Sequence, residues 1–161
     1  MKAKKGFTLV EILIVVVILG ILAAIVIPQF TSASTEAKEA ALVSNLQAVR
    51  SQIELYKIHH NDELPGTQGL VDFATAMTST TDQDGVVGVG ATFRFGPYMR
   101  EIPVNPFNDL NNVLEQATAV VGQGSNLNGW IFVNAGADAG LFQADDNKAN
   151  PLDATDWHTG Y

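Results

Sequence analysis

From Phe7 to Ile27 the chain runs for 21 residues in which only Thr8 and Glu11 are polar. At a helical rise of 1.5 Å per residue the stretch covers about 31 Å, enough to cross the hydrocarbon layer of a bilayer. Such a segment needs a membrane, or a surface of other apolar helices, to cover it. A secretory signal would have a shorter apolar core, roughly 7 to 15 residues, closed by a small-residue cleavage site. Leu22-Ala23-Ala24 imitates that site poorly, so the expectation is a span retained in the working protein.

Charge orients the span. Lys2, Lys4 and Lys5 precede it, and the positive-inside rule keeps them in the cytoplasm and sends everything after Phe30 to the far side. From Asp62 to Tyr161, 13 acids face only Arg94, Arg100 and Lys148, which describes a solvated acidic body. The whole chain carries 9 Lys+Arg against 17 Asp+Glu, a net charge of −8, so no nucleic-acid partner is expected. With no cysteine, disulfides, thiol nucleophiles and thiolate metal sites are excluded together. The 161 residues leave room for one modest domain beside an elongated element.

Glu11 is out of place in this apolar run. An unpaired carboxylate there costs on the order of 2.5 to 3.5 kcal/mol, less near the helix end. Either it snorkels to the headgroups or it awaits a cation from another chain or from a newly exposed amino terminus.

Lys4-Lys5-Gly6-Phe7-Thr8-Leu9-Val10-Glu11 closely resembles the processing site of type IV pilins and type II secretion pseudopilins, with Pro28 where that family has its helix-kinking proline. The resemblance implies a leader of residues 1–6, cleavage between Gly6 and Phe7 by a prepilin peptidase, and methylation of the new Phe7 amine. It further implies that Glu11 pairs with the Phe7 amine of a neighbouring subunit. The span would serve first as membrane anchor and then as filament core. In that core the carboxylate and the ammonium are each costly alone, and their pairing sets the axial register.

Leu42, Leu46, Val49, Ile53 and Tyr56 follow at spacings of 4, 3, 4 and 3, an amphipathic helix whose seam must pack on something. Two heptads are short for a coiled coil, so a covering sheet is expected. Glu36, Lys38, Glu39, Arg50, Glu54 and Lys57 lie off the seam, and Asn61-Asp62 before Leu64-Pro65-Gly66 makes a stop. The rod divides into a membrane or core half, 7–30, and an amphipathic half, 31–60. A wholly helical Phe7 to Ile58 would be about 78 Å long with a bend near Pro28.

The body, 61–161, reads as a small helix in the Thr67 to Met77 stretch and a proline-punctuated block from Pro97 to Phe107. Two strands, Gly129 to Asn134 and Leu141 to Ala144, are joined by a turn at Gly136 to Gly140. The expected fold is α+β and pilin-like, a long helix packed on a small antiparallel sheet. Thr67-Gln68-Gly69-Leu70, the Pro97 to Phe107 block and Gly136-Ala137-Asp138 make the body most similar to the major pseudopilin of type II secretion. The chain departs from that pattern in a long Asn108 to Asn128 segment and at Ala139, where the family has glycine.

That resemblance implies a subunit polymerising with copies of itself and with minor pseudopilins, from an inner-membrane assembly platform, into a periplasmic filament that drives export of folded proteins. A type IV pilus subunit, or an anchored periplasmic domain that never polymerises, is the alternative. The resemblance also implies calcium near the C-terminal loop. Asp138 and Asp145 are the first candidate ligands, with Asp146, Asn147, Asp153 and Asp156 nearby in sequence, against the alternative of a solvated acidic tail.

His59 and His60 point about 100° apart on a helix and do not share one ligand readily, so a helix-end role is expected. Trp130 and Trp157 read as packing residues, the serines lack an elbow motif, and Gly85, Gly88 and Gly90 lack the Lys-Ser/Thr of a phosphate loop. No catalytic constellation emerges, and the chain is not expected to be an enzyme.

Overall fold

The computed structural model describes residues 6–67, 71–119 and 124–146, together with the backbone of 149–150 and 153–157. One helix, α1 (Leu9–His59), takes up 51 residues. It is shared between two compact units, one ending at Ala37 and the other beginning at Lys38.

In the first unit the large apolar side chains of α1 are exposed, from 41% at Val26 to 82% at Leu9. Among the described residues this is the one helix long and apolar enough to cross a membrane. Each such side chain stands to gain about 1.5 to 3 kcal/mol from full burial, so the surface is strongly adhesive towards lipid or other helices.

In the second unit the same helix is amphipathic, and the seam lies where its spacing placed it. Leu42, Leu46, Val49, Ile53 and Tyr56 are all buried. They pack with Phe73 and Met77 of α2 (Phe73–Thr78) and with the aromatic side chains of a small sheet. The helix stops as expected: Asn61 and Asp62 take left-handed φ of 54° and 68°, and the Asp62 N–H closes the end by donating to Lys57 O at 2.9 Å. Asp72 caps α2, its carboxylate accepting from Thr75 N–H at 2.8 Å. Of the expected helix-opening stretch, Gln68, Gly69 and Leu70 lie outside the described residues.

The sheet is mixed where a purely antiparallel one was expected. Its order is β1 (Val113–Gln116), β2 (Trp130–Val133), β3 (Phe142–Ala144). β2 and β3 form the expected hairpin, Trp130 opposite Ala144, around a turn in which Gly136 and Gly140 hold φ of 85° and 95°. β1 runs parallel to β2, Val113 beside Trp130. The reason is the long 108–128 segment: parallel neighbours need a crossover of about a dozen residues or more, and residues 117–129 supply it. β2 thereby becomes the central strand, buried along its whole length. A separate antiparallel pair, β4 (Ala149–Asn150) and β5 (Asp153–Trp157), lies in the tail for which calcium binding and a solvated acidic tail are the two expectations. Trp157 lies in β5 with its side chain outside the described residues, whereas Trp130 is fully buried and donates from Nε1 to Pro103 O at 2.7 Å.

Arg50 does more than stay off the seam. It is half-buried and donates from Nε and Nη2 to Phe142 O at 3.1 and 2.8 Å, tying α1 to β3. Burial lowers its pKa from the ordinary value, yet a guanidinium stays charged throughout the working pH range.

Candidate processing and assembly site

Gly6, Phe7 and Thr8 precede α1 in non-helical, exposed backbone, with Phe7 80% exposed. A Cβ built on Gly6 would meet nothing within 4 Å, so the chain itself has no steric need for glycine there.

Glu11 is not alone in this chain. Its Oε2 accepts from the Thr8 backbone N–H at 2.8 Å and from the Thr8 hydroxyl at 2.7 Å, while Thr8 Oγ1 accepts from the Glu11 N–H at 3.3 Å. This is a reciprocal capping box: it satisfies donors orphaned at the helix start and sets the carboxylate against the positive end of the helix dipole. Among the described residues, the bonds to the carboxylate fall on Oε2. Thr8 is the cap partner that sequence reasoning missed. The signal was present, since Thr-x-x-Glu before an apolar run is the capping-box signature.

Pro28 sits inside α1, which continues through it. Proline cannot donate to the carbonyl one turn back, at Ala24. Immediately after it, Thr31, Ser32 and Thr35 donate from their hydroxyls to Ile27 O, Pro28 O and Thr31 O at 3.2, 3.2 and 3.1 Å. Hydroxyl back-bonding beside a proline is the local chemistry that bends helices.

The model of the prokaryotic N-terminal methylation motif matches residues 1–27. Type II secretion system core protein G of Pseudomonas aeruginosa is 31% identical over 117 residues, 73% of this chain and 78% of that protein. The chain belongs to the type II secretion system core protein G family. The core protein G of Klebsiella pneumoniae is 32% identical over 108 residues, 66% of this chain and 71% of the relative. That of Aeromonas hydrophila is 29% identical over 113 residues, 70% and 74%. No solved structure matches the chain significantly. These core protein G relatives are named as parts of a secretion system rather than as enzymes.

The calcium implied for the core protein G body can be tested against the residues in place. Asp138 is exposed, in the turn between β2 and β3. Asp145, just after β3, is fully buried. Its two oxygens are ringed by protein donors: Oδ1 accepts from the N–H groups of Ser125 and Asn126, and Oδ2 accepts from the Ser125 hydroxyl, the Asn128 N–H and the Asn128 side-chain amide. Burial pushes this carboxyl up, but the hydrogen bonds from Ser125 and Asn128 outweigh it and hold its pKa below the ordinary value. A cation site presents oxygens to its centre, whereas N–H groups present the positive ends of their dipoles. Asp145 in this setting does not fit calcium, and no group of three or more metal-binding side chains occurs among the described residues. Asn147, Asp153 and Asp156 have side chains outside the described residues, and Asp146 Oδ2 accepts from Asn105 Nδ2 at 3.1 Å.

The histidines also depart from a simple helix-end role. His60 is fully buried and stacks on Tyr56 with ring centroids 3.8 Å apart. Its Nδ1 donates to Tyr56 O at 2.8 Å, since a carbonyl only accepts, and its Nε2 bonds the Thr81 hydroxyl at 2.9 Å. Both nitrogens are engaged within the fold. His59 lies against Phe95, with its Nδ1 2.9 Å from the Tyr98 hydroxyl, whose pKa is pushed up to about 12 by burial and by Tyr56. The pair joins α1 to the 81–98 segment.

Proposed function

We propose that this chain is the structural subunit of a type II secretion pseudopilus. The observation that carries the reading is the contrast along α1: a bare apolar half that needs other helices, and a seamed half already satisfied by its own body. A subunit built this way can be stored in a membrane and then transferred into a bundle of identical helices without refolding. Before assembly, the apolar half holds it in the inner membrane, with the lysines cytoplasmic and the acidic body periplasmic.

A prepilin peptidase cleaves the exposed Gly6–Phe7 bond, and the new Phe7 amine is methylated. In the filament Glu11 keeps its Thr8 cap on one oxygen and receives the Phe7 ammonium of a neighbouring copy on the other. Only one axial offset brings the two charges together, so the pair specifies register. Pro28 and the hydroxyls after it let the helix bend between core and body. Addition of subunits at an inner-membrane platform, with minor pseudopilins as partners, pushes folded proteins towards the outer membrane.

Glu11→Ala in the native host tests the reading. Membrane insertion and cleavage at Phe7, read by intact mass, stay as in the parent, while pseudopili and export of secreted protein are lost. Normal filaments from Glu11→Ala would overturn the register role. Long surface fibres that contain this chain, together with normal export in a strain that lacks it, would overturn the secretion assignment.

A further inference from the structure

Among the described residues, the side-chain oxygens of Asp145 take their hydrogen bonds from the 125–128 stretch. Three consecutive-region backbone N–H groups, those of Ser125, Asn126 and Asn128, together with one hydroxyl and one side-chain amide, make five bonds to its two oxygens. A carboxylate offers about four lone-pair sites, so this one is saturated. The surroundings are equally closed. Gly124 N–H donates to Asp146 O at 3.1 Å, and a Cβ on Gly124 would stand 2.6 Å from that oxygen and 2.8 Å from Asp145 Oδ1. Asn108 Nδ2 bonds both Asn128 O and Asp145 O, at 2.7 and 2.8 Å, and Asn105 Nδ2 bonds Gly129 O at 2.9 Å.

We infer that Asp145 and the 124–128 loop form a clasp in which N–H groups do the organising that a cation would otherwise do, so that this corner of the body, where the loop returns over the end of β3, folds and stays folded without calcium. A divalent ion would organise such a loop by drawing oxygens inward. Here a buried carboxylate organises it by drawing N–H groups inward, the opposite polarity, and the two arrangements exclude each other at one position. The length of the 108–128 segment then has a physical purpose beyond the extra strand: it brings Ser125, Asn126 and Asn128 back over the end of β3. Ala139 fits the same picture, since it is exposed in the turn beside Asp138 and takes no part in the clasp.

The test is thermal unfolding of the full chain in detergent micelles, followed by near-ultraviolet circular dichroism, in chelator and in about 5 mM calcium, above the range of weak extracellular sites. The expected midpoints agree to within about 1 °C, whereas a structural site filled far above its dissociation constant would raise the midpoint by roughly 10 °C or more. Asp145→Asn, which reverses one oxygen to a donor, lowers the midpoint by about 10 °C in both buffers, and Ser125→Ala lowers it by about 5 °C. Calcium-dependent stabilisation of the parent chain would overturn the inference, as would an unchanged midpoint for Asp145→Asn. If Asp145→Asn does not fold, the parent chain with and without calcium decides the matter by itself. Filament assembly plays no part in the measurement, so failure here and failure of the pseudopilus reading are separate results.

Discussion

Two leucines on one helix separate the work of its two halves. Leu46 is 1% exposed at the centre of the body's core, and Leu19 is 58% exposed in the apolar half. Substituting alanine at either leaves helix propensity nearly unchanged, so the difference reports packing alone. At Leu46 the loss is that of a buried side chain plus the cavity left behind, about 3 to 4 kcal/mol. For a body of about 120 residues each kcal/mol moves the midpoint by about 3 to 6 °C, so Leu46→Ala should lower it by roughly 10 to 20 °C. At Leu19 the side chain touches only detergent in a micelle, and the midpoint should move by less than about 1 °C. In the native host the order reverses: Leu19→Ala weakens filament yield while the body remains folded. Circular dichroism of the two purified full-length variants, with filament yield scored by immunoblot of a sheared fraction, reads both effects. Equal destabilisation by the two substitutions, or a midpoint for Leu46→Ala within about 2 °C of the parent, would refute the division of α1.

The Asp145 clasp also carries a pH dependence. Its folded pKa lies below the ordinary carboxylate value, so the stability it contributes is complete above that ordinary value and is lost as pH falls through the folded one. The parent midpoint should therefore fall on acidification below about pH 4 more steeply than that of Asp145→Asn, in which the group no longer titrates. Arg50→Met keeps the apolar stem but removes both bonds to Phe142 O. It should cost about 1.5 to 3 kcal/mol of body stability, read by thermal unfolding, without affecting cleavage at Phe7.

The outline of this protein was legible because its strongest signals are local. An apolar run of membrane length, lysines before it, a seam at 4-3-4-3 spacing and a hairpin punctuated by glycines each depend on residues close in sequence. The structure places the seam and the β2–β3 hairpin where those patterns put them. Thr8 was equally legible as half of a capping box, because a helix start is closed by residues within one turn of it. The Gly6-Phe7 motif and Glu11 also belong to this local layer, as features of the chain itself.

What the tertiary structure alone decided is non-local. Whether 108–128 is a loop or an edge strand depends on β2, which it meets only after a crossover, and that pairing turned the expected antiparallel sheet into a mixed one. Arg50 reaches a carbonyl 92 positions away, and His60 a hydroxyl 21 positions away. Asp145 shows the limit most plainly. In the sequence it is one acid among several in an acidic tail, equally suited to water or to a metal. Only the return of Ser125, Asn126 and Asn128 across the end of β3 fixes the sign of the charge around it, because a carboxylate's role is set by the dipoles that surround it in space, and those come from elsewhere in the chain.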